Sequence, residues 1–168
     1  KVVNFNQGRI EMKEIPVPEP SSGEALIRVS MAAICNTDIE LFKGYYDFSG
    51  IPGHEFVGVV VQAPDHRELE GKRVVADINR VCGHCPMCLS DMPGKRRHCI
   101  NRKVLGIKGW DGAFAEFIVA PVENLHIVPD GLTDVEAVFA EPLAAALEPA
   151  QQIKIDATQR VLVMGDGK

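Results

Sequence analysis

The sequence predicts a β-rich α+β fold. Three observations carry that expectation. Short apolar runs with the two-residue period of a strand, parted by Gly, Pro and Asp turns, fill the chain as far as Asp130. Helical patterning is concentrated after Gly131. Between the strand-like runs lies Arg80–Val104, which has little periodicity and holds four of the five cysteines. Many strands first and helices last indicate a β-rich domain followed by the start of another unit.

Taken in order, Lys1–Phe5 is the first candidate strand. Ile15–Pro20 is extended, because each proline restricts the residue before it. After the turn Ser21-Ser22-Gly23, a strand runs from Glu24 to about Ile34. Thr37–Phe42 reads as a short helix capped by Asn36 or Thr37. Gly44–Pro52 is a loop, Val57–Ala63 a strand, Gly71-Lys72 a turn and Arg73–Ile78 a strand. Ala113–Val119 and Asn124–Val128 are further strands. Thr133 and Glu136 have the spacing of a capping box, in which each side chain satisfies the other's backbone group. Ala140–Ile153, rich in alanine and leucine, is helix. Arg160–Met164 is an apolar run of the buried-strand type, and Gly165-Asp166-Gly167 follows it.

Composition narrows the function classes. The chain has 168 residues, 46% hydrophobic and 24% charged, which suits a soluble domain with one sizeable core. Net charge is −5, and the basic residues are scattered except for Lys95-Arg96-Arg97, so a nucleic-acid face is not expected. No apolar run approaches the roughly 20 residues of a membrane span. Lys1–Ile10 lacks the pattern of an export signal, so the expectation is a cytoplasmic protein with no membrane partner. Five cysteines in a reducing compartment point to metal or catalysis rather than to disulfides.

Cys82-x2-Cys85-x2-Cys88-x10-Cys99 is the strongest motif. The two-residue spacings turn consecutive thiolates toward one ion, and the loop returns a fourth. Four sulfurs close a tetrahedral shell with no open position, which is the pattern of structural zinc. A disulfide pair and an iron–sulfur cluster are the alternatives. A second constellation centres on Gly53-His54-Glu55-Phe56-Val57-Gly58, with Cys35-Asn36-Thr37-Asp38 upstream and Glu141-Pro142-Leu143-Ala144 downstream. For the His54–Glu55 pair alone, a satisfied core histidine beside a solvated glutamate is the plainer reading. With its neighbours, the set offers a thiolate, an imidazole and carboxylates, the ligand types of a catalytic zinc.

These stretches resemble the zinc-dependent medium-chain dehydrogenases, relatives of alcohol, sorbitol and threonine dehydrogenases. The matching segments also include Gly23–Val29, Gly71–Val74, Asp111–Phe117 and the closing Val161–Gly167, in family order over nearly the whole chain. The resemblance implies a partly open GroES-like β-barrel over residues 1–153, with a zinc lobe at 80–104. Residues 154–168 would be a linker and the first strand of a nicotinamide-binding Rossmann domain. Gly165 and Gly167 would open its cofactor motif, where glycines let the backbone approach a pyrophosphate. The cofactor would be NAD or NADP, the choice being left open, in addition to one catalytic and one structural zinc.

Roles follow residue by residue. Cys35 and His54 match the first two catalytic zinc ligands. Glu141 matches the third-ligand region, and Glu55 a carboxylate that binds the metal in some members and lies behind it in others. With four cysteines committed to the lobe, a carboxylate completes the shell; the expectation is Glu141, with Glu55 close enough to exchange. Asp38 matches the carboxylate that holds the zinc-binding imidazole. Thr37 matches the hydroxyl that bonds the substrate alcohol and begins a proton relay. Glu40 stands where many members carry the histidine that ends the relay, so the path runs through Glu40, through water, or is absent. The loop between Cys88 and Cys99 is a few residues longer than is usual. Trp110, Tyr45 and Tyr46 suit a substrate pocket or plain packing equally.

The implied activity is zinc- and nicotinamide-dependent interconversion of a small alcohol or polyol and its carbonyl, by a homo-oligomer at full length. The 168 residues alone are expected to be inactive. A non-catalytic GroES-like zinc-binding or scaffold module is the alternative, and a zinc-ribbon nucleic-acid binder is disfavoured by the acidic balance.

Overall fold

The computed structural model describes residues 1–6, 8–92 and 94–165. Strand β1 (Val2–Asn6) pairs antiparallel with β2 (Arg9–Lys13). The sequence pattern does not announce β2. Its residues are mostly exposed, and pairing with β1 rather than an apolar face makes it a strand. Then come β3 (Glu24–Ala33), α1 (Asn36–Phe42), β4 (Glu55–Gln62), β5 (Arg73–Ala76) and β6 (Asn79–Arg80). The cysteine lobe contributes α2 (Pro86–Leu89) and β7 (Lys103–Leu105). After β8 (Gly109–Trp110), β9 (Phe117–Pro121) and β10 (Leu125–Ile127) come the helices α3 (Asp134–Ala137) and α4 (Ala140–Gln152).

The main sheet has five antiparallel strands in the order β10-β5-β4-β3-β9. β6, β7 and β8 form a second, smaller sheet. These sheets do not close on one another, so the barrel is partly open, as expected of a GroES-like fold. β4 lies at its centre and is apolar on both sides. Phe56 and Val60 enter the main core with Ala25, Ile27, Val74, Leu105 and Ile118. Val57 faces the other way, onto Val128, Ala137 and Val138. That two-sided burial is why the run from Phe56 to Val61 lacks a polar alternation. β3 carries two register shifts, at Leu26/Ile27 and Val29/Met31, which bend the strand.

Several boundaries differ from the sequence reading, each for a physical reason. The N-cap of α1 is Cys35, one residue before the expected caps; the Asp38 carboxylate accepts its backbone N–H at 2.8 Å. β9 begins at Phe117 rather than Ala113. Ala113 and Phe114 instead donate to the carbonyls of Gly53 and Pro52, at 2.8 and 3.0 Å, and Ala115 bridges to Val2. The capping box at Thr133 and Glu136 is present and opens α3. Val161–Met164 forms no strand. These four side chains are 64–88% exposed, since no sheet flanks them among the described residues.

Candidate metal centres

The four lobe cysteines converge. Cys82–Cys88, Cys85–Cys88, Cys85–Cys99 and Cys82–Cys99 have Sγ separations of 4.0, 3.5, 3.9 and 3.6 Å. A tetrahedron of sulfurs about 2.3 Å from a zinc ion has edges of about 3.8 Å. The thiols are too far apart for disulfides and too close to surround a multi-iron cluster. The donor set therefore fits a single zinc. Local backbone holds it: Cys82 N–H donates to Cys99 Sγ, and Cys88 N–H to Cys85 Sγ at the start of α2. The backbone N–H of His84 is the main influence drawing the Cys82 thiol down to about 6. Burial, followed by the neighbouring thiols, pushes Cys88 up to about 12. His84 turns its Nδ1 to the Cys82 carbonyl at 2.7 Å, and His98 is exposed on the turn before Cys99.

The basic triplet next to the lobe is absorbed by the fold. Lys95 donates to the Ser90 carbonyl. Arg96 reaches Asn124 Oδ1 at 2.6 Å and Glu123 at 3.1 Å. Arg97 pairs with Glu148 of α4. Asn124 is wholly buried and donates to the carbonyls of Asp77 and Asn79. Through Arg96 and Asn124 the lobe is bolted to the ends of the sheet strands.

The second cluster joins segments far apart in sequence. One ligand-type atom from each of Cys35, His54 and Glu55 lies within 4.8 Å of the others. Cys35 caps α1, His54 precedes β4, and Glu55 is its first residue. His54 and Glu55 are buried, and Cys35 is half-buried. Asp38, also buried, ties the parts together. One oxygen accepts the Cys35 N–H; the other accepts the Gly53 N–H at 3.2 Å and lies 3.5 Å from His54 Nδ1. That nitrogen is buried and lacks a well-directed hydrogen bond among the described residues. A proton on it faces Asp38, which leaves Nε2 as the ring atom for a metal. Burial works against the imidazolium, but Asp38 and then Cys35 outweigh it and raise the ion-free His54 to about 9. A half-buried thiol with a buried imidazole and carboxylate, brought together from two segments, suits a zinc ion with an open position.

Backbone packing places His54. The Gly112 N–H donates to the Ile51 carbonyl at 2.8 Å, alongside the Ala113 and Phe114 bonds to the same loop. A Cβ on Gly112 would lie 2.3 Å from the Pro52 carbonyl oxygen, and one on Gly53 would lie 2.5 Å from the Phe114 ring. Gly53 also has φ of +96°, which side-chain-bearing residues rarely adopt. In sequence Gly112 only precedes the candidate strand Ala113–Val119; its close approach to the His54 loop is a tertiary contact.

The remaining candidates fall outside the three-residue cluster. Thr37 Oγ1 lies 3.6 Å from Cys35 Sγ and accepts its S–H. Glu40 is paired with Lys43 at 2.9 Å on a solvent-facing part of α1. Glu141, in the first turn of α4, is half-buried. Burial raises its pKa; His54 opposes that, while Glu55 and Asp77 add to it, so it lies within their electrostatic range. Gly165 is exposed with φ of +93°, and Gly167 is outside the described residues. Trp110 packs on the main core and donates to the Val119 carbonyl at 3.1 Å. Tyr45 and Tyr46 are exposed, with rings 4.2 Å apart. Among the described residues, no helix is long and apolar enough to cross a membrane.

A partly open β-barrel with a four-thiol lobe and a largely buried Cys/His/Glu cluster defines a domain with two metal-type donor sets. The chain belongs to the alcohol dehydrogenase GroES-like domain family, whose pattern matches residues 21–130. It is similar to the starvation-sensing protein RspB of Escherichia coli K12, at 35% identity over 96% of this chain and 48% of that protein. It is also similar to a sorbitol dehydrogenase of Halalkalibacterium halodurans, at 32% identity over 95% of this chain and 47% of that enzyme. Among solved structures, a candidate zinc-binding dehydrogenase of Sinorhizobium meliloti 1021, bound to NADP, superposes with a TM-score of 0.81. That match is 34% identical and covers 93% of this chain and 46% of that one. The chain spans about half the length of the curated relatives it matches.

Proposed function

We propose that these residues form the substrate-side half of a zinc- and nicotinamide-dependent dehydrogenase of small alcohols or polyols. Residues 1–153 would be the catalytic domain, with its lobe at 80–104, and 154–168 would lead into the dinucleotide-binding domain. The observation that carries the reading is the Cys35–His54–Glu55 cluster, buried beside Asp38 and separate from the four-thiol lobe. A scaffold needs the lobe for folding but has no use for a second, open donor set.

In this reading Cys82, Cys85, Cys88 and Cys99 hold the structural zinc. Cys35 and His54 hold the catalytic one, with Glu55 and Glu141 as alternating carboxylates. A zinc ion there would supply Lewis acidity that lowers the pKa of a substrate hydroxyl, and the nicotinamide would accept the hydride. The protein's own groups do the rest. Asp38 fixes the imidazole and the Cys35 backbone. Thr37 stands beside Cys35 to take the hydroxyl proton. An onward path through Glu40 would cross the solvent-facing Glu40–Lys43 pair. The 168 residues alone would bind zinc without oxidising alcohols, since no sheet flanks Val161–Met164 among the described residues to build a dinucleotide pocket. The full-length protein would work as a cytoplasmic homo-oligomer.

The test loads the full-length protein with zinc and follows NAD and NADP reduction over a panel of alcohols and polyols. Native mass spectrometry counts the ions. Two zinc ions per chain and turnover abolished by Cys35→Ala support the proposal. Two ions with no turnover on any substrate would favour the scaffold.

A further inference from the structure

We infer that Gly106 is a positioning residue for the mixed cluster: packed bare against the Gly53 main chain, it sets where that chain delivers His54. The inference rests on the proposed reading of His54 as a metal ligand. The packing beneath it does not.

Gly106 stands in the turn that joins β7 to β8, far from His54 in sequence. It is buried, and its φ of +63° lies in the left-handed region that glycine enters freely. A Cβ there would fall 2.3 Å from the Gly53 carbonyl oxygen and 2.7 Å from the Gly53 carbonyl carbon and amide nitrogen. All three atoms are main chain, so no side-chain rotation relieves the overlap. Ordinary contact begins at 3.4 Å, so the two backbones would have to part by about 1 Å. Gly53 is buried as well, so the contact is closed within the described residues.

The two sides of the contact are not equally held. On the Gly106 side, Leu105 is wholly buried in the main core and its N–H donates to the Ile78 carbonyl at 3.0 Å. The Gly106 N–H donates to the Trp110 carbonyl at 2.9 Å. On the other side, residues 51–54 belong to no strand or helix, and Gly53 immediately precedes the histidine. The loop is therefore the side that gives way. Metal–ligand distances hold to about 0.2 Å, and a displacement of about 1 Å beside His54 exceeds that severalfold. It would also disturb the Gly53 N–H on Asp38 Oδ1, the oxygen that faces the His54 ring. The Gly53 carbonyl that Gly106 touches is the one that accepts the Ala113 N–H. The chain before His54 is thus gripped from two sides, by Gly106 before β8 and by Gly112 and Ala113 after it.

The experiment uses the full-length protein with zinc in the lobe. Chelator competition measures zinc affinity at the mixed cluster, and cobalt placed there instead reports ligand geometry through its visible absorption bands. Gly106→Ala should weaken that zinc about tenfold, the lower end of the loss seen when groups that orient a metal ligand are removed. The cobalt bands should shift, and the lobe should keep its ion. Gly109→Ala is the control. Its φ of +65° is nearly the same, but the nearest atom to a Cβ there is Lys103 Cγ at 3.6 Å. It should change neither affinity nor bands, and a loss equal to that of Gly106→Ala would assign the effect to backbone strain and overturn the inference. Unchanged affinity and bands in Gly106→Ala would overturn it too, as would equal loss of metal from both clusters. Leu105→Val loosens the anchor of the turn instead of wedging the contact, and should weaken the same zinc by less. If Gly106→Ala does not fold, this variant decides, and an unchanged affinity there overturns the inference. His54→Ala separates the two readings. If it leaves zinc affinity intact, the ligand reading fails, and Gly106 is judged on amide hydrogen exchange across residues 51–57, which Gly106→Ala should speed.

Discussion

The two donor clusters are built in opposite ways. The lobe draws its four thiols from 18 consecutive residues, Cys82–Cys99, and orients them with its own backbone N–H groups. It has few apolar residues, so in the proposed reading a zinc ion would serve as its core. The mixed cluster draws on the end of β3 and the start of β4, and depends on a loop held by backbone contacts from Gly112–Phe114. Its geometry belongs to the sheet and would persist without an ion. In the proposed reading metal would make the lobe, whereas the fold makes the mixed cluster.

The largest predicted effect would break the first half of that contrast. Cys99→Ser should empty the lobe and abolish its folding, because structural zinc in small domains contributes on the order of 10 kcal/mol. Thermal denaturation with and without a chelator measures the loss. The main sheet should keep its exchange protection, and a global collapse would show that the lobe is not a separate unit. Next comes Gly112→Ala, which forces a methyl group against the Pro52 carbonyl. A cost of about 1–3 kcal/mol is expected from overpacking, with zinc lost from the mixed cluster while the lobe stays loaded. Equal loss from both would contradict the division.

Asp38→Asn should cost less in stability but lower zinc affinity at the mixed cluster about 10–100-fold, with the lobe untouched. Competition with a chromophoric chelator would read this. An unchanged affinity would mean that Asp38 holds only backbone. The smallest effect is expected from Glu40→Gln. It removes an exposed pair worth a few tenths of a kcal/mol at most, and should leave both metals in place. Its diagnostic value is kinetic, because a fall in kcat with a displaced pH profile would bring Glu40 into the proton path.

The same contrast explains what could be read in advance. The lobe was legible because its chemistry is local: three short intervals in one stretch specify it. Cys35 and the His54–Glu55 pair were recognisable by ligand type, but only the family pattern gave them roles, since nothing in the spacing brings residue 35 to residues 54 and 55. Asn124 and Arg96 gave no signal, because a buried amide bridging two strand carbonyls looks like an ordinary loop residue in sequence. β2 was missed because its strand character comes from its partner. The apolar run Val161–Met164 is the converse: strand-like composition with no partner strand among the described residues.

The glycine contact at His54 has a consequence for redesign. The chain there is gripped by neighbouring main chain, with Gly112 against Pro52 and the Ala113 N–H on Gly53. Those main-chain contacts fix the path of the chain at Ile51–Gly53 whatever side chain follows at 54. Exchanging the imidazole at 54 for another donor would change which metal is preferred while the backbone grip on Ile51–Gly53 stays in place. A side chain added to the gripping glycines themselves would move the whole loop.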